Sequence, residues 1–205
     1  MTRILILLEV FAFSISYAQQ KTDSAFLIRE AVQEVNEKIY SQRQMRLELL
    51  KDCPEMIPVL AEWEYQDWHR YDMTLTREKL VNAFNYCLND DRLPLAFVIF
   101  KDSIPIGVIS LDAQAEPEMA DLEDGNPWGG SFHVIPSERN RGLGEEMAKT
   151  LVGIAKRLGH DKIHFFTSNR QVVKWYADRG AKIVDTRPFR GHTITTFEYE
   201  LRSRE

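Results

Sequence analysis

The stretch Ser131-Phe132-His133-Val134-Ile135-Pro136-Ser137-Glu138-Arg139-Asn140-Arg141-Gly142-Leu143-Gly144 reads as an apolar strand that stops at Pro136 and crosses a polar turn. A glycine-bearing loop then opens into a helix. The helix follows from Leu143, Met147, Leu151, Ile154 and Leu158, which recur at three- and four-residue intervals and so share one face. Gly159 comes directly after them, where a left-handed stop is expected. A strand that feeds a helix in this way leaves several backbone N–H groups unpaired at the positive end of the helix dipole. The turn is therefore a candidate anion cradle, and glycines at 142 and 144 let a phosphate approach the backbone without meeting a Cβ. Taken alone, the pattern also fits an ordinary strand–turn–helix connection.

The residues that follow add to it. Lys162-Ile163-His164-Phe165-Phe166-Thr167 is a short apolar strand, Ser168-Asn169 a helix start, and Trp175-Tyr176-Ala177-Asp178-Arg179-Gly180 a helix end with glycine at the stop. The series Arg139-x-x-Gly142-x-Gly144, a strand, Asn169, Tyr176 seven residues on and Gly180 four beyond resembles the GCN5-related N-acetyltransferase (GNAT) superfamily. Asn126-Pro127-Trp128 entering the preceding strand resembles small bacterial members. The resemblance covers roughly residues 45–202; Val172 and Ala181 depart from the family pattern, both at packing positions.

The resemblance implies a mixed α/β (α+β) domain. Its twisted, mostly antiparallel central sheet would have about six to seven strands, two of them splayed, with helices on both faces. It also implies acetyl-CoA as co-substrate. Backbone at Phe132, His133 and Val134 would pair with the pantetheine arm and polarise the thioester carbonyl. Arg139, Asn140, Arg141, Gly142, Leu143 and Gly144 would take the pyrophosphate, Asn169 the pantetheine side, and Tyr176 would protonate the departing sulfur.

The chain has 205 residues and a formal charge of −5, enough for one domain with a sizeable core and an extra segment. Arg3, an apolar run from Ile4 to Ile15 and Ser16-Tyr17-Ala18 before Gln19 have the layout of a secretory signal peptide. Glu9 inside that run argues against export, and so does a coenzyme made in the cytosol. A cytoplasmic protein with an over-long start, the domain beginning at Met45, is preferred; export is the alternative. Residues 21–44 read as an amphipathic helical spacer with Phe26, Leu27, Ala31, Val35 and Ile39 near one face. Charges cancel over 1–44, so the −5 belongs to the domain beyond. An acidic domain without a lysine–arginine cluster suits a cationic small molecule or peptide amine rather than nucleic acid. No membrane partner is expected, and oligomeric state is left open.

A first strand begins at Met45. Pro54 opens a helix carrying Met56, Ile57, Leu60, Ala61 and Trp63, with Trp68 near its end, and Thr76 caps the next. By the resemblance these helices cover an acceptor pocket that Trp63, Tyr65, Trp68 and Tyr86 could line. Leu95–Phe100 and Ile104–Leu111 form a central hairpin, and the acidic loop from Asp112 to Gly125 hangs over the site. Ala181–Asp185 and Thr193–Leu201 close the sheet. Cys53 and Cys87 read as buried thiols, and no histidine spacing suggests a metal.

Acetylation of an amine needs a base, because an alkyl ammonium of pKa about 10.4 is protonated at neutral pH. Glu123 and Asp121 are the first candidates, His133 the third; His164 and His192 read as structural. The expected activity is N-acetyl transfer to a primary amine in a ternary complex. Two other classes compete. A catalytically silent acyl-CoA-binding module would keep the fold, in an exported form. A nucleotide enzyme would use the glycine loop for ATP or NAD, but no Lys-Ser/Thr follows Gly144 and no strand near the N-terminus leads into the loop.

Overall fold

The computed structural model describes residues 23–201. Its organising strand is β2 (Leu95–Lys101), apolar on both faces: Leu95, Phe97 and Ile99 alternate with Ala96, Val98 and Phe100, and all are buried. Such a strand needs a helical layer on each side. On one side lie α1 (residues 23–35), α4 (Leu143–Arg157) and α5 (Arg170–Ala177), which bury Ile28, Leu151, Ile154 and Tyr176 together with Leu95, Phe97 and Ile99. On the other lie α2 (Ile57–Trp68) and α3 (Arg77–Tyr86), which bury Ile57, Leu60 and Phe84 together with Ala96, Val98 and Phe100.

The remaining strands are β1 (Met45–Leu49), β3 (Ile104–Asp112), β4 (Trp128–Val134), β5 (Lys162–Thr167), β6 (Lys182–Phe189) and β7 (His192–Glu200). They form a seven-stranded sheet in the order β1-β2-β3-β4-β5-β7-β6. Every neighbouring pair is antiparallel except β4 and β5, which are parallel and register only at Trp128 and His164. Past that point the two strands separate and leave unpaired backbone on both. The fold is the splayed, mixed α/β sheet that the sequence predicts.

A bulge sits on the open part of β4. Val108 faces His133 and Ser110 faces Gly130, so β4 carries an extra residue around Ser131, whose φ is 44°. A bulge of this kind re-aims the backbone groups beside it. At the far edge, β6 runs beyond the Ala181–Asp185 segment expected from the sequence. It pairs with β7 up to the tight turn at Arg190 and Gly191, whose φ values of 45° and 83° suit a short hairpin.

The N-terminal segment differs most from expectation. It is no spacer: α1 and the single π turn after it (Asn36–Tyr40) belong to the core. Ile28, Ala31 and Tyr40 are buried, and the Tyr40 hydroxyl meets Thr150 Oγ1 of α4 at 3.0 Å. The buried stripe starts at Ile28, while Phe26 is exposed. Asn36 Nδ2 donates to the Leu47 carbonyl at 2.9 Å and Asn36 Oδ1 accepts from the Leu47 N–H at 2.7 Å, covering the free edge of β1. The possible signal peptide or over-long start at residues 1–20 lies outside the described residues. Among these, no helix is long and apolar enough to cross a membrane.

Candidate active site

The separation of β4 from β5 opens a cavity of about 480 Å³ on the α2–α3 side of the sheet. Gly129, Gly130 and Ser131 of β4 line it, with Ser110 and Asp112 of β3 beside them. Trp68, Tyr71, Phe166 and Phe189 give it an aromatic wall, with ring centroids 5.8 Å apart for Trp68–Tyr71, 6.3 Å for Trp68–Phe166 and 5.6 Å for Phe166–Phe189. Arg190, at the tip of the β6–β7 hairpin, ties the rim together. It pairs with Asp72 after α2 at 3.4 Å, and with Glu116 and Glu118 of the β3–β4 loop at 2.7 and 3.0 Å.

Two carboxylates reach the cavity with no lysine or arginine in ion-pair range among the described residues. Glu64 lies on the buried stripe of α2 with Ile57, Leu60 and Ala61, and is 8 % exposed. Burial, then the nearby Asp67 charge, pushes its carboxyl up to about 7, against a hydrogen bond from the Ser131 hydroxyl. Asp112, at the end of β3, accepts from the Ser110 hydroxyl at 2.7 Å, and burial pushes it up to about 6. A Cβ on Gly130 would lie 2.7 Å from Asp112 Oδ2, so that glycine makes room for the carboxylate.

The base candidates expected from the acidic loop are not brought to the cavity. Asp121 is exposed and forms a bidentate pair with Arg187 at 2.6 and 2.8 Å, which holds its carboxyl below the usual range. Glu123 is exposed and accepts from the Ala115 N–H. His133 is buried on the α2 side, stacked on Trp63 at 4.9 Å with Nδ1 2.5 Å from Asp67 Oδ2, and is outside the cavity wall. The groups that do line it, Glu64 and Asp112, were absent from the sequence-based candidates. Glu64 had a signal: a carboxylate four residues beyond Leu60 and three beyond Ala61, on the apolar stripe of a helix. Of the proposed lining aromatics, Trp68 and Tyr86 reach the cavity, whereas Trp63 packs on His133 and Tyr65 on His69.

On the other side of the split, Phe132 is 38 % exposed on the unpaired part of β4, and the Val134 carbonyl accepts from Arg139 Nε at 2.7 Å. Asn140 and Gly142 are both left-handed, with φ of 59° and 83°. They turn the exposed Arg139–Gly142 loop into the first turn of α4, where Leu143 and Gly144 have no helical acceptor for their N–H groups. Arg43, just before β1, donates to the Arg141 carbonyl at 3.0 Å and lies 3.9 Å from Glu146, so a guanidinium stands beside this loop. Asn169 caps α5, its Oδ1 accepting from the Gln171 N–H at 2.9 Å. Tyr176 is 5 % exposed between Phe165 and Phe197, at ring distances of 5.4 and 5.2 Å, and burial raises its phenol. Val172 and Ala181, the two departures from the family pattern, pack against the core.

The unpaired strand and the left-handed loop therefore fit an extended, phosphate-bearing ligand. Solved structures share the fold. An N-acetyltransferase from Staphylococcus aureus Mu50 superposes with a TM-score of 0.57 at 14% identity, over 77% of this chain and 99% of that one. A Salmonella typhimurium protein described as an acetyltransferase, solved with its cofactor acetyl-CoA, gives 0.55 at 13% identity, over 78% and 96%. No curated protein matches this chain. The sequence pattern of the Acetyltransferase (GNAT) family matches residues 47–181, from β1 to the start of β6, and the chain belongs to that family.

Proposed function

We propose that the protein is an acetyl-CoA-dependent N-acetyltransferase that acts on a primary amine of a small molecule or peptide, by direct transfer within a ternary complex. The observation that carries this reading is the buried Glu64 carboxyl, held at about 7 in a cavity that opens at the split between β4 and β5. A base of that strength is well matched to deprotonating an ammonium near neutral pH. Acetyl-CoA supplies an acetyl group activated as a thioester. The backbone of Phe132, His133 and Val134 would hold the pantetheine arm and carbonyl, with Asn169 near the arm. Arg139, Asn140, Arg141, Gly142, Leu143 and Gly144 would hold the pyrophosphate.

Glu64 takes one proton from the acceptor ammonium, and the freed nitrogen bonds to the acetyl carbon. A bulged N–H on β4 receives the charge that develops on oxygen. As the C–S bond breaks, Tyr176 gives its proton to sulfur and is restored by the second proton shed from nitrogen, so one proton reaches solvent per turnover. A silent acyl-CoA-binding module is the second reading; the intact Tyr176 and glycine loop count against it. Thiol release from acetyl-CoA across an amine panel tests the two. Accelerated release by an amine supports transfer; binding of acetyl-CoA with no acceleration by any amine overturns it.

A further inference from the structure

The cavity beside the β4–β5 split holds more negative charge than the transfer step uses. Four carboxylates line it: Glu64, Asp72, Asp112 and Glu116. Arg190 satisfies Asp72 and Glu116 at 3.4 and 2.7 Å. Glu64 and Asp112 are met only by serine hydroxyls, with no Lys or Arg among the described residues in ion-pair range. They are neighbours on one floor. Asp112 Oδ2 sits against Gly130, Glu64 is bonded to Ser131 one residue on, and the charge of Asp112 weighs on Glu64. A carboxylate buried without a cation is costly, so a cavity that keeps two is complete only when something cationic enters it.

One of the two is engaged as the base. Glu64 is bonded to the bulge residue that precedes Phe132–Val134, whose edge toward β5 is open, and Asp112 lies further from that stretch, opposite Trp128 at the start of β4. Resting on the transferase reading above, the geometry points to an acceptor that carries a second cationic group, its reacting ammonium at Glu64 and the other charge at Asp112. The hydrocarbon between them lies along the wall made by Trp68, Tyr71, Phe166 and Phe189, whose faces attract cations as well as methylenes. The second cation keeps all its bonds and its proton through the reaction. Acetylation removes one of the two charges, which weakens the product's hold and favours its release. The same carboxylates repel an acceptor that bears a carboxylate, so free amino acids are poor substrates.

The test uses the full chain with saturating acetyl-CoA and compares kcat/KM for thiol release among acceptors of matched length: 1,4-diaminobutane, n-butylamine and 4-aminobutyrate, then 1,3-diaminopropane and n-propylamine. The expected order is diamine above monoamine by about tenfold or more, with the amino acid lowest. In Asp112→Asn the diamine-to-monoamine ratio should fall toward one, with acetyl-CoA binding by calorimetry reporting that the variant is folded. The wild-type comparison decides the matter by itself if that variant does not fold. Equal rates for diamine and monoamine overturn the second-cation inference and leave the transferase reading standing. No release with any amine overturns both.

Discussion

The proposed base, Glu64, owes its raised carboxyl to its place on the apolar stripe of α2, where burial and Asp67 hold it at about 7 instead of 4.5. The base form therefore exists above that value, and kcat/KM should rise with pH through a midpoint about 7. In Glu64→Gln that limb should vanish and kcat should fall on the order of a hundredfold or more, with acetyl-CoA affinity near normal by calorimetry. Stability moves the other way. The folded chain retains a proton that the unfolded chain gives up between pH 4.5 and 7, so the stability this group contributes is full below 4.5 and is lost as pH rises through 7. At pH 8 Glu64→Gln should therefore melt above the wild type, by about 2–4 °C per kcal/mol relieved. Tyr176 is kept protonated by burial, which suits a donor to sulfur. Tyr176→Phe should lower kcat on the order of tenfold to a hundredfold in steady-state assays and leave KM for acetyl-CoA unchanged. At this scale the sequence was only partly legible. Tyr176 carries a motif offset, whereas whether a carboxylate faces a cavity or an arginine depends on the fold: Asp121 found Arg187, and Asp112 found Ser110.

The chain turns into α4 because Asn140 and Gly142 accept left-handed backbone. Gly142→Ala should cost about 1 kcal/mol in stability by denaturant titration, because a Cβ is strained at φ 83°. Its effect on turnover should be a several-fold rise in KM for acetyl-CoA with kcat nearly intact. Arg43 lies outside the family match, yet its guanidinium braces the Arg141 carbonyl. Arg43→Ala should shift the same constant in the same direction. The elements themselves were read well from periodicity, since α4, β2, β3 and β5 each carry an unbroken local pattern. β6 was not: Thr186, Arg187 and Pro188 have no apolar alternation, and their strand state comes from pairing with β7.

Across the whole molecule, α1 joins the two ends of the architecture: it packs on the core beside β1 and α4, and Glu30 and Glu34 pair with Arg157 of α4 at 3.5 and 2.5 Å. A chain begun at Met45 would leave the sites of Ile28, Ala31 and Tyr40 empty. It should lose several kcal/mol, seen as a drop in Tm on the order of 10 °C. The mostly antiparallel sheet with helices on both faces followed from the family resemblance, but this dependence did not, because the stripe of α1 packs into a core that includes α4, more than a hundred residues along the chain. The amide of Asn36 has a consequence of its own. It occupies the hydrogen-bonding positions at Leu47 where a foreign strand would otherwise dock. Were Asn36 to lose these bonds, the bared rim would act as a template on which copies could polymerise, so the turn that follows α1 also guards the protein against stacking into fibres.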